Sequence, residues 1–418
     1  MLARCRTCSA RASEVRRVAG EAGDRLASDH RAAPVPEKTY LITPGPTPLP
    51  PQVQAAMAEP LLHHRSPDFR ALLRDTLSRL RTVFETEREV LMFAGSGTTA
   101  MESAVANLLS PGDLALVASA GNFGERWVKI ASAYGADVIH LEQEWGERLD
   151  PQRIAAAAPG CVAAFVTHSE TSTGVVHDVE AIAGALRDTG TLSVVDAVSS
   201  LGGVELATDR WGVDVVVAGS QKALMTPPGL AFAAVSERAW EAAGRSRSPR
   251  YTLDWAATAK AQAEGNTAFT PPVTLVAGLN AALRLIEADG PANVYAHNRA
   301  LANSVREGVK AMGLELFSPD DPSSAMVTAV LMPEGVDGQK VYGTLRDLHG
   351  VVLAGGQGPL RGRIIRIGHM GYMNGFDMVT ALAALELALA DYGFHPPAPG
   401  AGVARALEVL GLPAIADA

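Results

Sequence analysis

From residue 89 onward, short runs of apolar side chains alternate with stretches of helical periodicity. The runs at 89–95, 114–119, 137–142, 161–170, 192–198, 213–221 and 230–236 read as strands. Most are too uniformly apolar for one face to meet water, which is the pattern of a buried parallel sheet. Segments 98–109, 123–134, 151–158 and 179–188 read as helices between them, so the expected fold is α/β, with a mostly parallel, doubly wound sheet. A long helical pattern at 273–288 follows Pro271 and Pro272 and could connect two domains. Beyond it, helices at 292–312, 339–348 and 376–392 mix with strands at 326–332, 351–354 and 363–368, predicting a smaller C-terminal α/β domain. A proline-rich stretch, 395–400, leads to a short final helix. The expected division is 39–290 for a large domain with an N-terminal arm, 291–393 for the small domain and 394–418 for the linker and last helix.

Length and composition agree with two domains. A chain of 418 residues exceeds the size at which one core keeps growing, and 47% apolar residues permit a sizeable interior. The net charge of -9, with basic and acidic residues intermixed, gives no stripe for nucleic acid. No stretch reaches the apolar length of a membrane span. Three cysteines, Cys5, Cys8 and Cys161, make no disulfide framework, and a cytoplasmic location is the expectation. Cys5 and Cys8 form a lone C-x-x-C without the second pair a zinc site needs. The first 38 residues are rich in arginine and alanine, contain no signal-peptide core, and carry acids that transit peptides avoid; they read as a disordered extension.

Chemistry concentrates where strands end. Lys222 closes the run 213–221, and Asp196 lies at the tip of the run before it. A strand-end lysine can form a Schiff base with a carbonyl cofactor, and a buried carboxylate nearby can hold a protonated pyridine nitrogen. The pair therefore points to pyridoxal phosphate. The turn Gly95-Ser96-Gly97-Thr98 follows a strand and opens a helix, where free N–H groups suit a phosphate. It is also a G-x-G-x-x-A, but the next strand ends at Ser119 without the ribose-binding acid of a dinucleotide site. Phe123, at the following loop, is either a core anchor or a ring that stacks on a flat cofactor. The polar run 167–174 leaves the sheet where ligands bind in open α/β folds, and Thr171 is its best candidate, with His168 read as a satisfied core histidine. Arg366 sits among isoleucines, where burial demands an anion: a substrate carboxylate or a protein one. His63 and His64 have no metal spacing, and Asp68, Arg70 and Arg74 read as a solvated helix face.

The series Pro44-Gly45-Pro46-Thr47, Gly95-Ser96-Gly97-Thr98, Glu170-Thr171-Ser172-Thr173-Gly174, Val195-Asp196, Gly219-Ser220-Gln221-Lys222 and Arg366-Ile367-Gly368 resembles the class V, fold-type-I aminotransferases, closest to the alanine-glyoxylate and serine-glyoxylate group. The likeness spans roughly residues 39 to 393. It implies that Lys222 bonds to pyridoxal 5'-phosphate and Asp196 faces the pyridine nitrogen. Ser96, Gly97, Thr98 and Gln221 would hold the phosphate, Phe123 would stack on the ring, Thr171 would hydrogen-bond near it, and Gly45 and Arg366 would receive the substrate. Many relatives have tryptophan in place of Phe123, and some have histidine in place of Thr98. The family is dimeric, and the segment 266–272 would lend Thr270 to the partner's phosphate site; some relatives have tyrosine where this chain has Thr267.

The resemblance implies transamination from alanine or serine to glyoxylate or pyruvate. A purine-derived or aminophosphonate donor, or a non-catalytic accessory protein on the same scaffold, are the alternatives. A cysteine desulfurase would need a nucleophilic cysteine in its later half, and none follows Cys161.

Overall fold

The computed structural model describes residues 38–412. The expected extension, but for Lys38, and Cys5 and Cys8 with it, lies outside them. Among the described residues a seven-stranded sheet forms the centre. Its strands are β1 (Val90–Gly95), β2 (Leu114–Ser119), β3 (Asp137–Glu142), β4 (Ala163–Thr167), β5 (Leu192–Asp196), β6 (Val215–Gly219) and β7 (Gly229–Val235). They lie in the order β1-β7-β6-β5-β4-β2-β3, and only β7 runs against its neighbours. Both faces are buried, as the uninterrupted apolar runs require, except along the edge strand β3, whose Asp137, His140 and Glu142 are exposed. Val90 and Met92 enter one core while Leu91 and Phe93 enter the other, and each strand divides its side chains in this way.

Several expected strands are shorter than their apolar runs, two of them by four residues or more. The run 161–170 breaks after Thr167; Ser169–Glu170 pairs instead with Val175–Val176 in a small antiparallel hairpin. The run 213–221 is strand only over Val215–Gly219, since Ser220 and Gln221 begin the turn that carries Lys222.

Helix Pro67–Phe84 starts at Ser66, whose side chain accepts from the Phe69 N–H, and buries Phe69, Leu73, Thr76, Leu80 and Val83 along one stripe. Asp68 and Arg74 are exposed on its other side. After the long helix Val273–Asp289, helices Pro291–Ala311, Gly375–Ala390 and Ala401–Val409 pack with a three-stranded antiparallel sheet, in which Ile364–Gly368 lies between Val327–Leu331 and Ala354–Gly355. Leu301, Val305, Leu382, Leu385 and Ala406 share its core. Tyr40–Leu41, from the start of the described chain, pairs in parallel with Val351–Val352, and Ile42 joins that same core. Among the described residues, no helix is long and apolar enough to cross a membrane.

Candidate active site

The carboxyl ends of β1, β2, β4, β5 and β6 all open on one edge of the sheet, the edge at which open α/β folds bind ligands. Register places Asp196 on β5 opposite Thr167 of β4 and Val217 of β6. Asp196 is buried, and Oδ1 accepts from the Val198 N–H at 2.8 Å. Oδ2 has no hydrogen-bond donor among the described residues. Burial pushes the Asp196 carboxyl up to about 6.

Lys222 leaves the turn after β6, and its Nζ donates to Pro44 O at 2.6 Å. Burial lowers its pKa to about 8; the cation of Arg366 adds to this and the carboxylate of Asp196 opposes it. Segment 43–47 wraps the lysine. Thr47 Oγ1 donates to Lys222 O at 2.9 Å and Thr47 N to Gln221 O at 3.1 Å. Gly45, at φ +119, lies so close that an added Cβ would stand 2.5 Å from Lys222 Nζ. Only glycine combines that backbone with that approach.

The Gly95–Thr98 turn meets Gln221 across Gly219. A Cβ at Gly219 would stand 3.0 Å from Gln221 Oε1 and 3.1 Å from Gly97 N, and one at Gly97 would strike Val198 at 2.4 Å. Gln221 Oε1 is buried and has no hydrogen-bond partner among the described residues. Ser96 is exposed at the start of helix Gly97–Leu108, where its N–H donates to Thr99 Oγ1 at 3.1 Å. Thr98 Oγ1 accepts from Arg126, whose guanidinium lies 4.8 Å from the centre of the Phe123 ring. Phe123 is half-buried at the head of helix Gly124–Ala133 and is not a core anchor.

Arg366 is buried on its central strand, but no protein carboxylate pairs with it among the described residues. Its Nε and Nη2 donate to Gly355 O at 3.0 and 2.8 Å, and Nη1 donates to Thr171 O at 2.7 Å. Of the five guanidinium N–H groups, one on each Nη stays open, the pair that a two-point carboxylate contact uses. Burial lowers its pKa to about 10, which leaves it charged at neutral pH.

Thr171 is buried beside this arginine. His168 is buried too, and desolvation lowers its pKa to about 4, but its Nδ1 has no partner among the described residues, so it is not the fully satisfied histidine expected. His63 and His64 lie 4.8 Å apart on a surface loop. Thr270 is exposed and does not join the cluster within one chain. It borders a surface hollow of about 220 Å³ with Phe93 and Phe269. Thr267 Oγ1 donates to Phe269 O at 2.6 Å. The residue whose part the sequence left unread is Glu170. It is buried, in electrostatic reach of both Asp196 and Arg366.

Against known proteins, a family model described as Aminotransferase class-V matches residues 39–363. The chain belongs to the class-V aminotransferases. It is 40% identical to the small subunit of a soluble hydrogenase from a Synechococcus strain, over 90% of this chain and 99% of that protein. It is 37% identical to serine–glyoxylate aminotransferase of Methylorubrum extorquens, over 90% of this chain and 96% of that one. The solved ureidoglycine-glyoxylate aminotransferase of Bacillus subtilis superposes with a TM-score of 0.84 at 31% identity, covering 90% of this chain and 98% of that one. This class-V member thus has the fold-type-I architecture expected. Among its described residues no group of three or more His, Cys, Asp or Glu side chains is placed to hold a metal.

Proposed function

We propose that this enzyme moves the amino group of alanine or serine to glyoxylate or pyruvate, using pyridoxal 5'-phosphate held between Lys222 and Asp196. The observation that carries this reading is the convergence of three groups. An amine with lowered pKa lies in electrostatic reach of both a buried carboxylate with a free oxygen and an arginine with an open N–H pair. The residues fit the cofactor: the buried Gln221 amide has no protein partner for its Oε1, and the absence of a Cβ at Gly45, Gly97 and Gly219 lets segment 43–47 close on Lys222 and the Gly95–Thr98 turn close on Val198 and Gln221.

Lys222 would bond to the cofactor's aldehyde carbon, Asp196 would face its ring nitrogen and Phe123 its ring. Ser96, Gly97, Thr98 and Gln221 would surround its phosphate, with Thr171 near the ring. When bound, pyridoxal phosphate supplies a carbonyl that exchanges amino groups and a ring that accepts the electrons freed at the amino acid's α-carbon. The chain's own groups do the rest. Arg366 binds the α-carboxylate through its open N–H pair, and the fixed carbonyls of Gly355 and Thr171 aim it. Lys222, with a pKa near 8, is partly neutral at physiological pH and can take the α-proton, where an ordinary lysine is neutral in about one molecule per thousand. Asp196, in its dry site, favours a proton shared with the ring nitrogen because burial raises the cost of a bare carboxylate.

The assembly we propose is a homodimer in which segment 266–272 completes the partner's phosphate site. Supporting it, Tyr251 and Phe269, 79% and 41% exposed, pack with tilted rings whose centres are 5.4 Å apart, beside Thr270. A cytoplasmic location accords with the single buried cysteine among the described residues. A second reading, a purine-derived donor, is favoured by the likeness to the ureidoglycine enzyme.

A panel of alanine, serine, ureidoglycine and an aminophosphonate against glyoxylate and pyruvate tests the assignment. Glycine formed from glyoxylate with alanine or serine supports it, and turnover with no donor sinks it. Borohydride reduction and peptide mapping should place the cofactor mass on Lys222.

A further inference from the structure

We infer that Glu170 is a positioning residue that fixes, through hydrogen bonds alone, both the Phe123 loop and the turn that aims Arg366; the inference rests on the cofactor reading of this cleft. Its carboxylate is buried, with relative exposure of 1%. No cation forms an ion pair with it among the described residues. One oxygen, Oε2, accepts from Phe123 N at 3.0 Å and from Gly124 N at 2.9 Å. The other, Oε1, accepts from Ser172 N at 3.1 Å and from the Ser172 hydroxyl. Ser172 Oγ in turn accepts from Asn122 N at 3.0 Å. Three successive backbone N–H groups at the head of helix Gly124–Ala133 therefore end on one carboxylate and its serine. A helix start with converging N–H groups is a ready anion site, and here the chain fills it with its own side chain.

The loop packs tightly on this carboxylate. A Cβ on Gly121 would stand 2.5 Å from Glu170 Cδ and 2.6 Å from Ser172 Oγ. On the opposite side, Glu170 and Ser172 bracket Thr171, whose carbonyl receives Arg366 Nη1. The same loop reaches the strand bearing Gly355: Asn122 Nδ2 donates to Gln357 Oε1 at 3.4 Å, two residues beyond the carbonyl that holds Arg366 Nε. One buried acid thus sets the ring that faces the cofactor and the guanidinium that faces the substrate.

All four donors point at the carboxylate, so both of its oxygens must accept. A glutamine keeps the shape but has only one oxygen; whichever way it turns, its NH₂ meets N–H or O–H donors. The test compares wild type, Glu170→Gln and Ser172→Ala on the full chain. It measures amide exchange of peptides covering 120–126 in the apoprotein, pyridoxal phosphate affinity by absorbance titration, and KM and kcat for the amino donor. For Glu170→Gln, faster exchange in that peptide, cofactor affinity weaker by about tenfold or more, and KM raised more than kcat is lowered are expected. Ser172→Ala should shift the same quantities about threefold, and it decides the matter if the glutamine variant does not fold. Lower melting temperature with exchange, cofactor affinity and KM all at wild-type values would overturn the inference. Wild-type protein that binds no pyridoxal phosphate would defeat the functional reading instead, and exchange at 120–126 would then decide the role of Glu170 alone.

Discussion

Replacing Lys222 with methionine takes a poorly solvated cation out of the cleft, and the apoprotein should become more stable for it at neutral pH. Burial, then the neighbouring Arg366, lowers the lysine from 10.5 to about 8. At about 1.4 kcal/mol per unit this amounts to roughly 3 kcal/mol. The side chain retains some contact with the open cleft, which screens it, so about 2 kcal/mol is the working figure. The sign follows from linkage. Between pH 8 and 10.5 the unfolded chain binds the proton that the folded chain has released, so wild-type stability rises with pH across that window and is lost as pH falls through it. The methionine variant has nothing to titrate there. Its loss of the hydrogen bond to Pro44 O is an offset of about 1 kcal/mol that does not vary with pH. Urea denaturation of both apoproteins, followed by tryptophan fluorescence at steps from pH 7.5 to 10.5, isolates the titrating part. The stability of the variant relative to wild type should grow by about 2 kcal/mol from the alkaline to the neutral end. Curves that stay parallel would refute a depressed lysine.

Asp196 titrates with the opposite sense of burial: its folded pKa, raised to about 6 from 3.8, makes apoprotein stability fall as pH rises through that interval. Asp196→Asn should remove that slope and bring a gain of roughly 2–3 kcal/mol at pH 7 while weakening cofactor binding, which denaturation at pH 4 to 7 and absorbance titration read. Gly45→Ala should destabilise by at least about 1 kcal/mol and reduce cofactor capture, because its Cβ would meet Lys222 Cδ at 2.3 Å on a backbone at φ +119; a variant with wild-type melting and affinity contradicts this. Arg366→Lys gives up both Gly355 contacts and the two-point carboxylate fork, so KM for the amino donor should rise about tenfold or more with a smaller change in kcat.

The apolar runs made the central sheet legible because a strand covered on both faces can tolerate few polar residues, and Lys222 and Asp196 stood out as charged groups at its ends; Gly97 was read from its strand-to-helix turn and Gln221 only from the family likeness. Less visible were segments whose partners are distant. Helix Trp255–Ala263 is mostly alanine, threonine, lysine and glutamine, with no apolar stripe to betray it; it is anchored by Trp255 and by Gln262, which exchanges hydrogen bonds with Met92 N and Val90 O. Tyr40–Leu41 is too short to read, and its pairing with Val351–Val352 spans some three hundred residues of chain. Helix Pro67–Phe84 was read only by its solvated face; the Ser66-Pro67 start and the spacing of Phe69, Leu73, Leu80 and Val83 mark its extent and buried stripe, hidden behind the charges between them. Glu170 stood in a motif, but a carboxylate's role depends on which donors surround it, and those at 123 and 124 come from another loop.

The pairing of Tyr40–Leu41 with Val351–Val352 has a mechanical corollary. Ile42 donates its N–H to Val352 O and accepts from Gly368 N, two residues past Arg366, while Pro44 O grips the lysine amine. Only Thr43 separates these two moorings, and consecutive Cα atoms are about 3.8 Å apart, so the strap has no slack. If Arg366 takes up an anion as proposed, a tilt of the C-terminal layer would tug on the carbonyl that tethers Lys222. On that reading, occupancy at one end would be felt at the other through a few taut peptide units.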